Sequence, residues 1–186
     1  MTTTTWIIVL IIVVLLVAIG AWYFTQRRRT EELRGKFGPE YERTVSQTGD
    51  ERKAQEELAR RQERVEALDI RPLSPEDQGR FAESWRTVQA RFVDSPTQAI
   101  ADADRLVNDV MQARGYPVGD FEQRAADISV NHPTVVTNYR NARTIAQANQ
   151  DGQASTEDLR KAMVYYRALF EELLEARQTA ANTSRQ

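Results

Sequence analysis

The hydrophobic pattern opens with an uncharged run from Trp6 to Phe24, followed at once by Arg27, Arg28 and Arg29. As a helix rising 1.5 Å per residue, such a run spans about 28 Å, close to the hydrocarbon thickness of a bilayer. Trp6 at one end and Trp22 with Tyr23 at the other suit two membrane interfaces, and arginines favour the inner aqueous side. The pattern therefore predicts a transmembrane helix over residues 6–24. Its bulky end, Ala21-Trp22-Tyr23-Phe24, argues against a cleaved signal peptide, the alternative reading for which Ala18, Gly20 and Ala21 supply small residues.

After the run the period changes to that of helices exposed on one face. Residues 25–49 read as a juxtamembrane helical linker. A helix from Thr25 to about Arg34 is interrupted by Gly35 and Gly38-Pro39. Pro39 then opens a short helix with Glu40 near its positive end, and Gly49 stops it. Asp50 caps the next helix, whose stripe is Ala54, Leu58, Val65 and Leu68. Glu51, Lys53, Glu56, Arg60 and Arg64 form its wet face.

Ser74-Pro75-Glu76-Asp77 is a helix start, with Ser74 as cap and Pro75 at the first helical position. Phe81, Trp85, Val88 and Phe92 follow at helical spacing and read as core. Asp94-Ser95-Pro96 repeats the punctuation before Ile100, Ala103, Val107, Val110 and Met111. Gly115 supplies a left-handed stop, and Pro117 prevents continuation. Asp120 caps a short helix carrying Phe121, Ala125 and Ile128. A turn at Asn131-His132-Pro133 precedes a helix with Val135, Tyr139, Ala142 and Ala146 inward. Residues 147–154 read as a polar loop. Ser155 to Asp158 forms a capping box for a last helix that buries Leu159, Ala162, Tyr166, Leu169 and Leu173.

No segment alternates as a strand should. The predicted class is all-α: one N-terminal transmembrane helix, then an antiparallel helical bundle over residues 50–176, with residues 177–186 as a disordered tail.

Composition narrows the chemistry. The 186 residues include no cysteine, which removes disulfides, thiolate metal sites and cysteine nucleophiles from the chain. With 25 basic and 27 acidic side chains the formal net charge is −2, which gives little general pull on nucleic acid. No glycine-rich phosphate loop occurs, and the carboxylate and histidine pattern of di-iron bundles is missing. His132 is the single histidine, so no histidine-based zinc set forms. No catalytic residue, metal ligand or cofactor is assigned. Asp102, Asp104 and Asp109 read as solvent-facing, and Glu171, Glu172 and Glu175 as an acidic patch. The two proline turns bracket one short helix, and Tyr116, His132 and Tyr139 are the candidate recognition surface.

Phe37-Gly38-Pro39-Glu40-Tyr41, Ile70-Arg71-Pro72-Leu73, Arg91-Phe92-Val93-Asp94, Arg114-Gly115-Tyr116-Pro117 and Asn131-His132-Pro133 together resemble a bacterial family of uncharacterised membrane-anchored helical proteins, over about Leu33 to Glu175. That resemblance implies no established activity and no functional residue. A single span followed by helices is also similar to the LemA architecture in arrangement alone. The expectation is a membrane-tethered, noncatalytic adaptor or scaffold. Its partners are the lipid bilayer and a membrane-associated or cytoplasmic protein, with no nucleic acid. It sits in the bacterial inner membrane, single-pass, with the N-terminus outside and the C-terminal domain cytoplasmic. The alternative is a small-ligand sensor or enzyme with a pocket near Tyr116 and His132.

Overall fold

The computed structural model describes Leu10, residues 14–17, Gly20, residues 27–28 and residues 30–175. Residues 30–37 form the described part of α1. Then come α2 (Pro39–Thr48), α3 (Glu51–Glu66), α4 (Pro75–Asp94), α5 (Pro96–Ala113), α6 (Phe121–Asn131), α7 (Val136–Gln150) and α8 (Thr156–Glu175). Among the described residues all regular structure is helical.

The helices start where side chains replace missing backbone partners. Asp50 Oδ1 accepts from the Lys53 N–H at 2.9 Å, and Ser74 Oγ accepts from Asp77 at 3.0 Å. Asp120 Oδ1 accepts from Gln123 at 2.9 Å. Ser155 and Asp158 bond reciprocally: the Asp158 N–H donates to Ser155 Oγ, and the Ser155 N–H to Asp158 Oδ2, each at 3.2 Å. Each such cap contributes about 1 kcal/mol. Ser95 alone separates α4 from α5 and makes no side-chain cap bond, so Pro96 carries that start.

The stop at Gly115 fixes a tertiary contact as well. The Gly115 N–H donates to Gln112 O and the Tyr116 N–H to Met111 O, both at 3.0 Å, which is the paired-bond Schellman ending. Gly115 has φ +96°, and a Cβ there would lie 2.2 Å from the Asp69 carbonyl oxygen. The Arg71 N–H donates to Arg114 O at 2.9 Å. Residues 69–71 thus lie directly against the end of α5.

α5 packs against α4, α7 and α8, and these four helices make the main bundle. Their apolar cluster runs from Leu73 through Trp85, Ile100, Val107, Tyr139 and Tyr166 to Leu173. Trp85 stacks on Phe170 with centroids 4.8 Å apart. A second, smaller cluster holds Leu33, Phe37, Tyr41, Leu58 and Val65, joined from the other side by Val130 of α6. It ties α1, α2 and α3 into a hairpin-like unit. That unit meets the rest through α3 on α6 and α2 on α7.

Two expected boundaries move. α1 continues through Gly35 to Phe37, because burying Leu33 and Phe37 outweighs the roughly 1 kcal/mol that glycine costs inside a helix. α7 runs on to Gln150. Its end is set by Gly152 at φ +69°, with the Gln153 N–H donating to Ala148 O at 2.8 Å, so the expected loop shrinks to residues 151–155.

The membrane part of the expected architecture is corrected. Among the described residues no helix is long and apolar enough to cross a membrane. The requirement is about 20 consecutive, mostly apolar residues in one helix, and no described helix meets it. The span expected over residues 6–24 lies outside the described residues, apart from Leu10, residues 14–17 and Gly20. Trp6, Trp22, Tyr23 and Arg29 lie outside them too. Arg27 and Arg28 are helical and exposed. The single-pass topology, the bilayer as partner and the inner-membrane placement rested on that span, and they are withdrawn with it. The tail expected from residue 177 also lies outside the described residues.

Candidate functional site

The most concentrated polar chemistry sits in the seam between α2–α3 and α6–α7. Glu40 lies in the first turn of α2, on the buried side of the helix with Tyr41 and Thr44, and is only 1% exposed. Its Oε1 accepts from three arginines on three helices: Arg140 Nη2 at 2.8 Å, Arg61 Nη1 at 3.2 Å and Arg43 Nη1 at 3.4 Å. Arg61 also donates through Nε to Glu57 Oε1 at 3.0 Å, and Arg140 through Nη1 to Glu122 Oε2 at 2.8 Å. Burial pushes the Glu57 carboxyl up, but Arg61 and Arg60 outweigh it and hold the group below its usual range.

A second node lies along the same seam. Asp127 of α6 is fully buried, and its Oδ1 accepts from Arg64 Nη2 at 2.8 Å, Arg64 Nε at 2.9 Å and Gln123 Nε2 at 3.0 Å. One oxygen of each buried carboxylate, Glu40 Oε2 and Asp127 Oδ2, is enclosed without a hydrogen-bond partner. An enclosed charge of this kind is tolerated only when firmly paired, so both nodes depend on their arginines. Arginine suits the task because its planar fork reaches two carboxylates at once.

Above Glu40 the seam opens into a cleft of about 280 Å³, lined by Arg43, Arg61, Arg64, Arg140, Glu57 and Glu122 among others. An adjoining cleft of about 390 Å³ shares Arg43 and Arg140 and reaches Phe121, Arg143 and Gln147.

The residues singled out by the proline turns lie elsewhere. Tyr116, His132 and Tyr139 are all buried, at 3%, 6% and 0% exposure. The Tyr116 hydroxyl accepts from Asn131 Nδ2 at 3.2 Å, and burial raises its pKa. Tyr139 donates to Asn108 Oδ1 at 3.2 Å and accepts from Arg124 Nε at 3.4 Å. His132 Nε2 lies 3.3 Å from Arg114 Nη1, and Nδ1 lies 2.9 Å from Glu172 Oε1. Arg114 has only donors, so Nε2 is the acceptor and the ring proton sits on Nδ1, donated to Glu172. Burial holds the imidazole pKa down against the opposing pull of Glu172. Arg114 also donates to the Leu173 carbonyl at 3.3 Å, so the group pins α5, α6 and α8 together.

Both ring nitrogens of His132 are thus occupied by internal bonds. The pocket expected near Tyr116 and His132, and the sensor or enzyme that would use it, are corrected accordingly: the two side chains are enclosed, and neither lines the clefts described above. Among the described residues no group of three or more histidine or carboxylate side chains is placed to hold a metal ion.

Of the acidic residues of α5, Asp109 faces solvent, whereas Asp102 and Asp104 are partly buried and engaged. Asp104 Oδ1 accepts from the Tyr166 hydroxyl at 2.8 Å, and its Oδ2 from Arg143 at 3.0 Å. Burial and Asp104 push the Tyr166 hydroxyl far above its ordinary value. Asp102 pairs with Arg91 and Arg105. In the acidic patch of α8, Glu171 accepts from Arg167 and Glu172 from His132.

Glu40, Arg61, Asp127 and Arg140 were not marked as site residues by the sequence. A signal exists for one of them. Arg61 sits in phase with Ala54, Leu58 and Val65, so it places a charge inside an apolar stripe.

No family matches this chain. No curated protein matches it, and no solved structure does. The expected kinship with a membrane-anchored bacterial family is therefore not carried forward, and neither is the membrane-tethered adaptor that depended on it.

Proposed function

We propose that the chain is a non-enzymatic, two-part helical module whose working motion is release and redocking of the α1–α3 unit on the α4–α8 bundle. The carrying observation is the composition of the seam. The α1–α3 unit keeps its own apolar cluster, to which the rest of the chain adds Val130 and a flanking Ile70. Besides Val130, the unit is joined to α6 and α7 by a pair of buried carboxylates clasped by arginines across the boundary, Glu40 with Arg140 and Asp127 with Arg64.

An apolar seam resists opening because water gains nothing from the exposed surface. Charges differ. Taking an ion pair out of water costs several kcal/mol per ion, and opening returns that hydration. A seam built this way separates at lower free energy than the apolar bundle, which makes the α1–α3 unit a natural independent opening unit. The non-enzymatic part of the reading draws on His132, whose two nitrogens are committed to Arg114 and Glu172.

Hydrogen exchange on the full chain tests the reading. The amides of α2 and α3 are expected to exchange as one group, at lower opening free energy than those of α5 and α8, and faster at raised salt. Equal protection of both parts at every salt concentration would rule it out.

A further inference from the structure

The cleft above Glu40 has a second property. Four guanidinium groups face it, from α2, α3 and α7, and the bonds to Glu40 take a single N–H from each of Arg43, Arg61 and Arg140. Every guanidinium carries five donors. The acceptors that meet the outward donors are Glu57 and Glu122, which belong to partly and largely exposed side chains. Each acid lies on the solvent side of its pair, Glu57 at 34% and Glu122 at 70% exposure, while Arg61 and Arg140 are held inside at 9% and 12%, so the acids are the replaceable members.

With those two carboxylates turned away, the fixed charges are the four arginines against Glu40, Asp127 and Asp120. Asp120 is held at the start of α6 by its bond to the Gln123 N–H. The remaining field at the cleft is positive, and its walls present donors without matched acceptors.

We propose that this cleft binds a small multivalent oxyanion of the phosphate class, which replaces the Glu57 and Glu122 carboxylates and bridges α2–α3 to α7. The volume, about 280 Å³, accommodates a phosphoryl group with its surrounding water. Several oxygens on one centre match converging guanidinium forks better than two separate carboxylates do. The ligand joins both sides of the seam, so it binds the docked arrangement. The inference rests on the two-part reading to the extent that bound anion then holds the α1–α3 unit closed.

Titration calorimetry of the full chain with inorganic phosphate, against sodium chloride at matched ionic strength, tests the site. Saturable one-to-one binding is expected. Arg43→Gln, at a partly exposed side chain, is expected to weaken it about tenfold, in line with loss of one charge-assisted hydrogen bond. Glu122→Gln, at a largely exposed side chain, removes a competing charge and is expected to tighten binding severalfold. Phenyl phosphate then separates the sources: tighter binding than inorganic phosphate assigns an organic phosphoryl group, and equal or weaker binding assigns the free ion. Heat no different from the chloride control overturns the site, as does unchanged or weaker binding in Glu122→Gln. Exchange measured without phosphate separates the two proposals. An α1–α3 unit that opens separately but is indifferent to phosphate removes the anion site alone. Saturable phosphate binding to a chain that opens as one unit removes the two-part reading alone.

Discussion

The Glu40 carboxylate, almost fully enclosed, accepts a 2.8 Å hydrogen bond from Arg140, a residue one hundred positions later in the chain. Arg61 and Arg43 reach the same oxygen from the other side of the seam. Removing the acid leaves three guanidinium groups facing one another. Breaking a buried pair by deleting one partner costs about 3–5 kcal/mol. Glu40→Ala is therefore expected to lower the free energy of releasing the α1–α3 unit by about that amount, while the α4–α8 bundle keeps its protection. Site-resolved hydrogen exchange measures both quantities at once.

Arg64 and Arg86 give a controlled contrast. Arg64 is the principal partner of the fully buried Asp127, whereas Arg86 pairs with Glu83 on an exposed helix face. Arg64→Ala is expected to destabilise the chain by about 3 kcal/mol or more, and Arg86→Ala by about 0.5 kcal/mol or less. Urea unfolding of the two variants under one set of conditions checks the ordering.

Gly115 and Gly152 both have positive φ, but only Gly115 has backbone where a Cβ would go. Gly152→Ala should cost about 1–2 kcal/mol, the strain of a left-handed alanine. Gly115→Ala should cost clearly more, because residues 69–71 must also move away from the end of α5. Equal losses in the two thermal unfolding curves would count against the close packing of Asp69.

His132 gives the pH dependence a defined sign. Its ordinary pKa is 6.5, and burial holds the folded value lower. Between the two values the unfolded chain binds the extra proton. The contribution is therefore fully present above about 6.5 and is lost as pH falls through that value toward the depressed folded pKa. Urea midpoints at pH 7.5 and 5.5 should fall further in the parent chain than in His132→Gln, which cannot take up that proton.

Helix positions were legible because their signals are local. Asp50, Ser74, Asp120, Gly115 and the Ser155–Asp158 box each act within a few residues, and each does what its spacing implies. Phe81, Trp85 and Val88 face the core for the same reason. The seam was not legible. Glu40 meets Arg140 across one hundred residues and Asp127 meets Arg64 across 63, and nothing near either acid names its partner. In the first turn of a helix, Glu40 reads as an ordinary partner for the helix dipole. The burial of the two proline turns was not legible either: turns usually lie at surfaces, whereas Tyr116 and His132 fold inward to bind Asn131, Arg114 and Glu172.

The central claim is that ion pairs, rather than apolar packing, hold the α1–α3 unit to the bundle. The chain has no cysteine, so two introduced at exposed Lys53 on α3 and Asn141 on α7 can carry spin labels without background. The label-to-label distance distribution, measured in the full chain and again with Glu40→Gln, is the most direct test. A single short population in the parent, joined by a longer one in the variant while α4–α8 stays folded, is the predicted result. An unchanged single population in Glu40→Gln, or loss of the whole fold at once, would contradict the account.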